Sequence, residues 1–437
     1  MALRCEIDHG ARAVLQKQAL NQFLITNVAV HKGVARITNQ FAKILEISSV
    51  GQLVEVEDGL VALAQPTEDE IGSNEACAAG YQDQVISFRV FSGRVYSDAI
   101  CTISYNAAFK SSLFYLPMRI LLVKTSSLGD VIHNLPVVSD LRRCFPNAQI
   151  DWCVEEAFSD IPRLHPEVNE IIPVALRRWR KALTQWGTWR EIGKFRKRLG
   201  QTYYDVILDT QGLIKSALIA RQAKGRHCGY AAEVARESLA AVFYDETFVI
   251  PPNVHAVERN RWLAAAAFEI PADLPLNYGI STPAVNLSWF VGSRYAVLLT
   301  ATSRDDKLWD ETNWKTIAQN LFKRGLTPVF PSGNAIERQR VERIVSNVPG
   351  AIVAPPLKLN ELACLIGGSA LAIGVDTGLV HLATALRVPT IAVFVASDPA
   401  LTGVYGSGFI RNLGAQGQAP TASEVLTVAE QGARWIR

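Results

Sequence analysis

Val375-Asp376-Thr377-Gly378-Leu379-Val380-His381-Leu382 follows the apolar run Leu371–Gly374 and opens an apolar stretch that ends near Leu386. The run reads as a buried strand and the stretch Val380–Leu386 as a helix. Asp376, Thr377 and Gly378 then turn the chain at the carboxyl end of a strand and the amino end of a helix. Unpaired backbone N–H groups and the helix dipole favour an anion at such a place, beside a small hydroxyl and a glycine. An ordinary strand–turn–helix junction with Asp376 as its cap accounts for these residues equally well.

Three further loops carry polar groups past a strand. Lys124-Thr125-Ser126-Ser127-Leu128-Gly129-Asp130 is small and polar, and Asp130 stands at a helix start. It either caps that helix or offers a carboxylate at a cleft mouth, able to take a proton from an attacking hydroxyl. In the segment Thr300 to Trp309, hydroxyls and Lys307 suit a diphosphate, although a solvated charged loop would look the same. Glu337, behind Gly333, places a carboxylate where ribose hydroxyls are accepted in nucleotide folds, but that spacing is common. Between Arg177 and Arg198 nine cations stand against the single acid Glu191, interleaved with Trp179, Trp186, Trp189 and Phe195. A solvated helix face, a single-stranded nucleic acid and a phosphorylated membrane lipid each fit that mixture. The whole chain carries only +3, so the basicity is one patch with one localised acidic partner. Arg236, in Ala-Arg-Glu-Ser-Leu, is a further anion contact to weigh.

The elements that must position these loops alternate. Strands are expected at Arg119–Val123, Ile150–Val154, Glu170–Val174, Val206–Asp209 and Thr247–Ile250. Helices are expected at Asp130–Arg143, Thr188–Leu199, Leu213–Arg221 and Val254–Ala267. After a linker at Ile280–Gly292 the alternation restarts. Its strands are Tyr295–Leu299, Pro328–Phe330, Ile352–Val353, Leu371–Gly374 and Thr390–Val395. Its helices are Thr312–Arg324, Ile336–Ser346, Leu359–Gly367, Val380–Leu386 and Ser423–Ile436. This is the pattern of two doubly wound parallel α/β sheets, Rossmann-like and facing one another, with ligands in the cleft outside the carboxyl ends of the strands. The first domain is set at residues 118–285 and the second at 286–437. Residues 1–117 show short alternating runs such as Val85–Phe91, a polar stretch from Gln65 to Gly80, and no motif. They are either a small appended domain or upstream sequence before a start at Met118, and the second is the expectation.

At 437 residues, 49% hydrophobic and 19% charged, the chain is globular and long enough for two or three domains. No apolar run approaches the roughly 18 residues that span a bilayer, since the best candidate, from Gly368 to Val395, is broken by Asp376, His381 and Arg387. The first residues lack the apolar core of a signal peptide, so a cytoplasmic protein is expected. Seven cysteines without a CxxC pair and seven scattered histidines argue for reduced thiols and no metal site. A nicotinamide-dependent dehydrogenase would share the layout, but the loop after Val123 lacks the G-x-G-x-x-G fingerprint. A nucleic-acid-binding protein would use Arg177–Arg198, but confinement of the charge there makes an extended backbone track a poor fit.

The pieces KTSSLGDVIHNLP, VALRRWRKA, VILDTQGLIKSALIA, ARESLA, HAVERNR, TSRDDKLW and VDTGLVHLATAL, in this order from Lys124 to Leu386, resemble the lipopolysaccharide heptosyltransferase I family. That family belongs to glycosyltransferase family 9 and has the GT-B fold. The resemblance spans the chain after Met118 and leaves residues 1–117 outside it. Ser332 stands where an aromatic residue is expected, and Ser303 replaces a threonine. The resemblance implies an inverting transfer of L-glycero-D-manno-heptose from ADP-L-glycero-β-D-manno-heptose to the first Kdo of Kdo2-lipid A. It implies Asp130 as general base, and Lys307 with Thr302 and Ser303 on the diphosphate. Thr377, Gly378 and His381 would contact the same diphosphate, Asp376 would shape the turn, Glu337 would bind ribose and Leu357 would pack on adenine. Ser126, Ser127, Arg177, Arg178, Lys181, Lys215 and Arg236 would face the anionic acceptor. No cofactor, metal or nucleic acid is implied, and the enzyme would work on the cytoplasmic face of a Gram-negative inner membrane. Heptosyltransferase II, or another GT-B nucleotide-sugar transferase, is the alternative.

Overall fold

Within Met1–Leu116, six strands pair antiparallel in chain order: β1 (Gly33–Ala35), β2 (Ala42–Ile47), β3 (Leu53–Val56), β4 (Leu60–Gln65), β5 (Ser87–Ser92) and β6 (Val95–Tyr96). A separate unit spans Pro117–Arg437. The computed structural model describes these strands together with residues 117–290 and 294–432. The reading of residues 1–117 as upstream sequence, most of the stretch from Gln65 to Gly80, Gly292 of the linker and the final helix beyond Gly432 lie outside the described residues.

The second unit is built on strands that are apolar on both faces. In β7 (Arg119–Val123) the four residues after Arg119 are fully buried, as a strand covered by helices on both sides requires. Its parallel sheet adds β8 (Gln149–Glu155), β9 (Glu170–Val174), β10 (Tyr203–Asp209), β11 (Lys224–Tyr230) and β12 (Glu246–Phe248). The spatial order is β9-β8-β7-β10-β11-β12. The second half repeats it with β13 (Tyr295–Leu299), β14 (Thr327–Phe330), β15 (Ile352–Val353), β16 (Leu371–Val375), β17 (Thr390–Val393) and β18 (Ile410–Leu413), ordered β15-β14-β13-β16-β17-β18. Both halves thus have the doubly wound order in which the winding reverses beside the first strand. The crevice at that reversal lies at the ends of β7 and β10 in one half, and of β13 and β16 in the other.

Three expectations need correction. The helix expected over Asp130–Arg143 is two helices, Leu128–Ile132 and Leu135–Cys144, joined by His133 and Asn134. Pro136 sits in the first turn of the second helix, where its missing N–H costs nothing, and it cannot continue the first. The strands β11 and β18 were not expected. β11 reads Lys-Gly-Arg-His-Cys-Gly-Tyr and β18 is an edge strand reading Ile-Arg-Asn-Leu, so neither carries an apolar run.

The halves meet helix to helix. Helix Leu128–Ile132 packs on helix Gly378–Ala385, and one apolar core runs through both, joining Val131, Ile132 and Leu135 to Val380, Leu382 and Ala383. A β-carbon on Gly378 would stand 2.6 Å from Leu128 Cγ, so the approach depends on the absence of a side chain there. Gly378→Ala is predicted to destabilise the protein by about 1–3 kcal/mol through overpacking. Leu128→Ala in the same chain should relieve at least half of that loss, measured as a urea double-mutant cycle. Equal cost of the glycine substitution in both backgrounds would mean this contact is not its cause.

Candidate active site

Past the end of β7 the loop Lys124–Ser127 is clamped from the end of β10. Gln211 Oε1 accepts from the backbone N–H of Thr125 at 2.7 Å and from its hydroxyl at 2.8 Å. Lys124 is buried, and its ammonium donates to the Thr210 carbonyl at 2.7 Å and to Asn260 Oδ1 at 3.3 Å. Burial pushes its pKa down to about 8, against the pull of Asp130.

The clamped loop presents Asp130. Ser127, and not Asp130, is the N-cap of helix Leu128–Ile132, and Asp130 is its third residue, the acidic partner of a capping box. Asp130 Oδ2 accepts from the Ser127 N–H and hydroxyl, both at 2.9 Å. Asp130 Oδ1 accepts from Arg236 Nη2 at 2.7 Å. Burial alone would raise this carboxyl, but Lys124, Arg236 and the Ser127 N–H together hold it well below the usual carboxylate range. A carboxylate offers about four acceptor positions. Three are engaged here, and one on Oδ1 remains open. Lys215 donates to Ser126 Oγ at 3.1 Å and so borders the same loop.

The second half supplies cations and donors. Asp376 is not the cap of helix Gly378–Ala385; that place is taken by Thr377, in extended conformation and with no side-chain capping bond. Asp376 instead pairs through Oδ2 with Lys307 Nζ at 2.6 Å and accepts from Ser397 Oγ at 2.5 Å. Its carbonyl accepts from the Thr302 hydroxyl at 3.1 Å. The loop past β13 is thereby fastened to the loop past β16, with Lys307 and Thr302 beside an uncapped helix start. Ser303 is exposed on the same loop.

Histidines bridge the two halves. His133 Nε2 lies 3.2 Å from His381 Nδ1, and the His381 Nε2 lies 4.0 Å from Asp376 Oδ1. The His381 ring also covers Gly129, whose β-carbon would stand 3.2 Å from its Cδ2. Burial pushes the His381 pKa down to about 4 and holds His133 well below its ordinary value. Both rings are therefore neutral near pH 7.

Asp130, Ser126, Ser127, Lys215 and Arg236 thus form one linked group, and Thr302, Lys307, Asp376, Thr377, Gly378 and His381 another, in contact through Leu128–Gly378 and His133–His381. The other expected residues find their partners elsewhere. Glu337 accepts from the Gly333 N–H at 2.6 Å and from Asn334 Nδ2 at 2.7 Å past the end of β14. Leu357 is half-buried against the core. Arg178 is held by Glu156 at 3.0 Å and Glu191 at 2.8 Å, and the Arg177 guanidinium lies over the Phe158 ring at 4.8 Å. Arg198 pairs with Glu170. The basic segment is therefore partly neutralised by acids outside it, which a count along the chain does not reveal. Lys181 is exposed. Lys124, Gln211, Ser397 and His133 were not singled out from the sequence. His133 had a signal, since it lies three residues beyond Asp130, a helical-neighbour spacing.

The chain matches the model of glycosyltransferase family 9 (heptosyltransferase) over residues 192–428. It is 42% identical to lipopolysaccharide heptosyltransferase 1 of Pseudomonas aeruginosa over 294 residues, covering 66% of this chain and 82% of that one. It is 40% identical to the Escherichia coli K12 protein of the same name over 295 residues, covering 66% and 91%. The solved structure of E. coli heptosyltransferase WaaC with ADP superposes with a TM-score of 0.67 at 37% identity, covering 72% of this chain and 100% of that one. With a twofold Rossmann-like unit, a carboxylate on one side of the cleft and an uncapped helix start with a lysine on the other, the chain has the GT-B fold and is a glycosyltransferase belonging to family 9, the heptosyltransferases.

Proposed function

We propose that the protein transfers L-glycero-D-manno-heptose from ADP-L-glycero-β-D-manno-heptose to the first Kdo of Kdo2-lipid A, with inversion, in assembly of the lipopolysaccharide inner core. The observation that carries this reading is the meeting of Asp130 with the Lys307–Asp376–His381 group across the helix contact. The relatives lend support. Those named heptosyltransferase 1 from P. aeruginosa and E. coli stand at 40–42% identity, against 22% for the E. coli K12 protein named heptosyltransferase 3. A WaaC structure with ADP-2-deoxy-2-fluoro heptose superposes with a TM-score of 0.66.

In this reading the acceptor hydroxyl gives its proton to Asp130 as its oxygen attacks the anomeric carbon. The bond from that carbon to the diphosphate oxygen breaks, and ADP leaves from the opposite face, which inverts the centre. Lys307, Thr302, Ser303, the Thr377 and Gly378 N–H groups and His381 offset the charge that grows on the diphosphate. Asp376 holds Lys307 in place, Glu337 takes the ribose and Leu357 packs on adenine. Ser126, Ser127, Arg177, Arg178, Lys181, Lys215 and Arg236 receive the anionic acceptor. A carboxylate held at low pKa is a weak base. Movement of Arg236 from Asp130 to an acidic group of the acceptor raises its basicity as the hydroxyl arrives, while Lys124 and the Ser127 N–H keep their hold on it.

The acceptor is a lipid, and we assign the approach to the membrane to the basic segment. Trp186 is 84% exposed, Trp189 55% and Leu183 50%, beside Arg180, Lys181, Arg190, Lys194 and Lys197, which have no ion-pair partner among the described residues. Exposed tryptophan among cations suits an anionic interface. Among the described residues no helix is long and apolar enough to cross a membrane, so attachment from the cytoplasmic side of the inner membrane would be peripheral.

Asp130→Asn should leave ADP affinity unchanged and lower heptose transfer by about 10²–10⁴-fold, read as ADP release from ADP-heptose with Kdo2-lipid A present. Near-normal turnover would remove Asp130 as the base. Lys307→Ala should raise the donor KM and cut kcat by about 10²–10³-fold; an effect on the acceptor KM alone would contradict the leaving-group role. Replacing Trp186 and Trp189 together by alanine should weaken sedimentation with phosphatidylglycerol-containing vesicles and leave ADP binding intact. Vesicle binding at the original strength would move the docking face elsewhere.

A further inference from the structure

His381 can serve the diphosphate only if the proton on its neutral ring sits on the nitrogen that faces the cleft. The environment decides which nitrogen that is. Nδ1 of His381 meets His133 Nε2 at 3.2 Å. On the other side of the ring, Nε2 looks toward the Asp376 carboxylate at 4.0 Å and toward Gly129 at the start of the opposing helix. His133 Nδ1 is buried with no hydrogen-bond partner.

Two arrangements of protons are open to this pair. In the first, His133 Nε2–H donates to His381 Nδ1. His133 Nδ1 is then a buried acceptor without a donor, and His381 Nε2–H points toward the acidic, diphosphate side. In the second, His381 Nδ1–H donates to His133 Nε2. His133 Nδ1–H becomes a buried donor without an acceptor, and a lone pair on His381 Nε2 faces the Asp376 carboxylate. Orphaned buried N–H groups are rarer than under-satisfied acceptors, and a lone pair toward a carboxylate is repulsive. Both effects favour the first arrangement. Protonation of either ring does not intervene near pH 7, because burial depresses both.

We propose that His133 is a positioning residue that fixes His381 in the Nε2–H tautomer from across the cleft. It rests on the reading of His381 as a donor to the ADP diphosphate, and adds that a residue of the acceptor half sets the donor site. His133 sits at the C-cap of helix Leu128–Ile132, which carries Asp130. The helix that bears the base therefore also prepares the leaving-group site, and parting of the halves would remove this constraint on the His381 tautomer.

The test is a long-range proton–nitrogen correlation spectrum of the full chain labelled at histidine nitrogen, at neutral pH, with the His381 signals assigned by their loss in His381→Gln. The expected result is a neutral ring protonated at Nε2. A ring protonated at Nδ1, or a mixture of tautomers, would overturn the proposal. ADP titration calorimetry supplies the second arm. His133→Leu should weaken ADP by about tenfold, the loss of about one hydrogen bond to a charged group. His133→Gln, whose amide nitrogen reaches near the place of Nε2, should recover most of it. The donor KM should follow ADP affinity and the acceptor KM should not. A folded His133→Leu protein that binds ADP like the parent would sink the positioning role; if that variant does not fold, the tautomer in the parent and the glutamine variant decide. If the parent binds no ADP, the donor assignment fails, and the tautomer still reports on the histidine pair by itself.

Discussion

Two short helices touch, and the cleft follows from that contact. Each sheet leaves a crevice at the reversal of its winding, but one crevice holds a carboxylate and the other a lysine and an open helix start. Neither alone can move a group between two molecules. The backbone at Gly378 comes within reach of Leu128, and the His381 ring lies on Gly129. A side chain at Gly378 would hold the halves apart, and one at Gly129 would press on the His381 ring. The shared core behind them, with Val131 and Ile132 against Val380 and Leu382, makes the contact part of the folded state. Rigid packing of this kind places reacting groups more surely than loops could.

Burial in this region selects charge states. Lys124 is held at the edge of ionisation near pH 8, yet it remains the cation that keeps Asp130 ionised. The histidines at the junction are held neutral by the same exclusion of water. Farther back, Arg261 is 4% exposed and is matched by Asp140 at 2.7 Å and Glu258 at 2.9 Å, joining helix Leu135–Cys144 to helix Ala256–Phe268. A buried cation with both acids in place tolerates its position; one left alone would not.

The alternation of strands and helices was legible because most strands are short apolar runs. Strands Arg119–Val123, Glu170–Val174, Tyr295–Leu299 and Ile352–Val353 lie where the pattern puts them. β11 was hidden because its buried end alternates His227 and Gly229 with Cys228 and Tyr230, so no run of apolar residues forms. The break at Asn134 escaped because the apolar spacing continues through it, and only Pro136 betrays the restart. In the site, the loops themselves were visible as polar residues past apolar runs. Their internal partnerships were not. That Asp376 answers Lys307, that Arg236 answers Asp130, and that Glu156 and Glu170 blunt the basic segment are contacts over long sequence separations. No local pattern encodes them.

The Lys307–Asp376 pair has a consequence for what the cleft will accept. Lys307 already holds an internal counter-ion, shared with the Ser397 hydroxyl. On the proposed reading an arriving diphosphate would compete for that ammonium, so its gain would be the difference between two ion pairs. A small inorganic anion offers little beyond the carboxylate it would replace. A complete nucleotide sugar adds base, ribose and sugar contacts that no simple anion brings. On the proposed reading the resident carboxylate would bias the cleft against the ordinary phosphates of its surroundings.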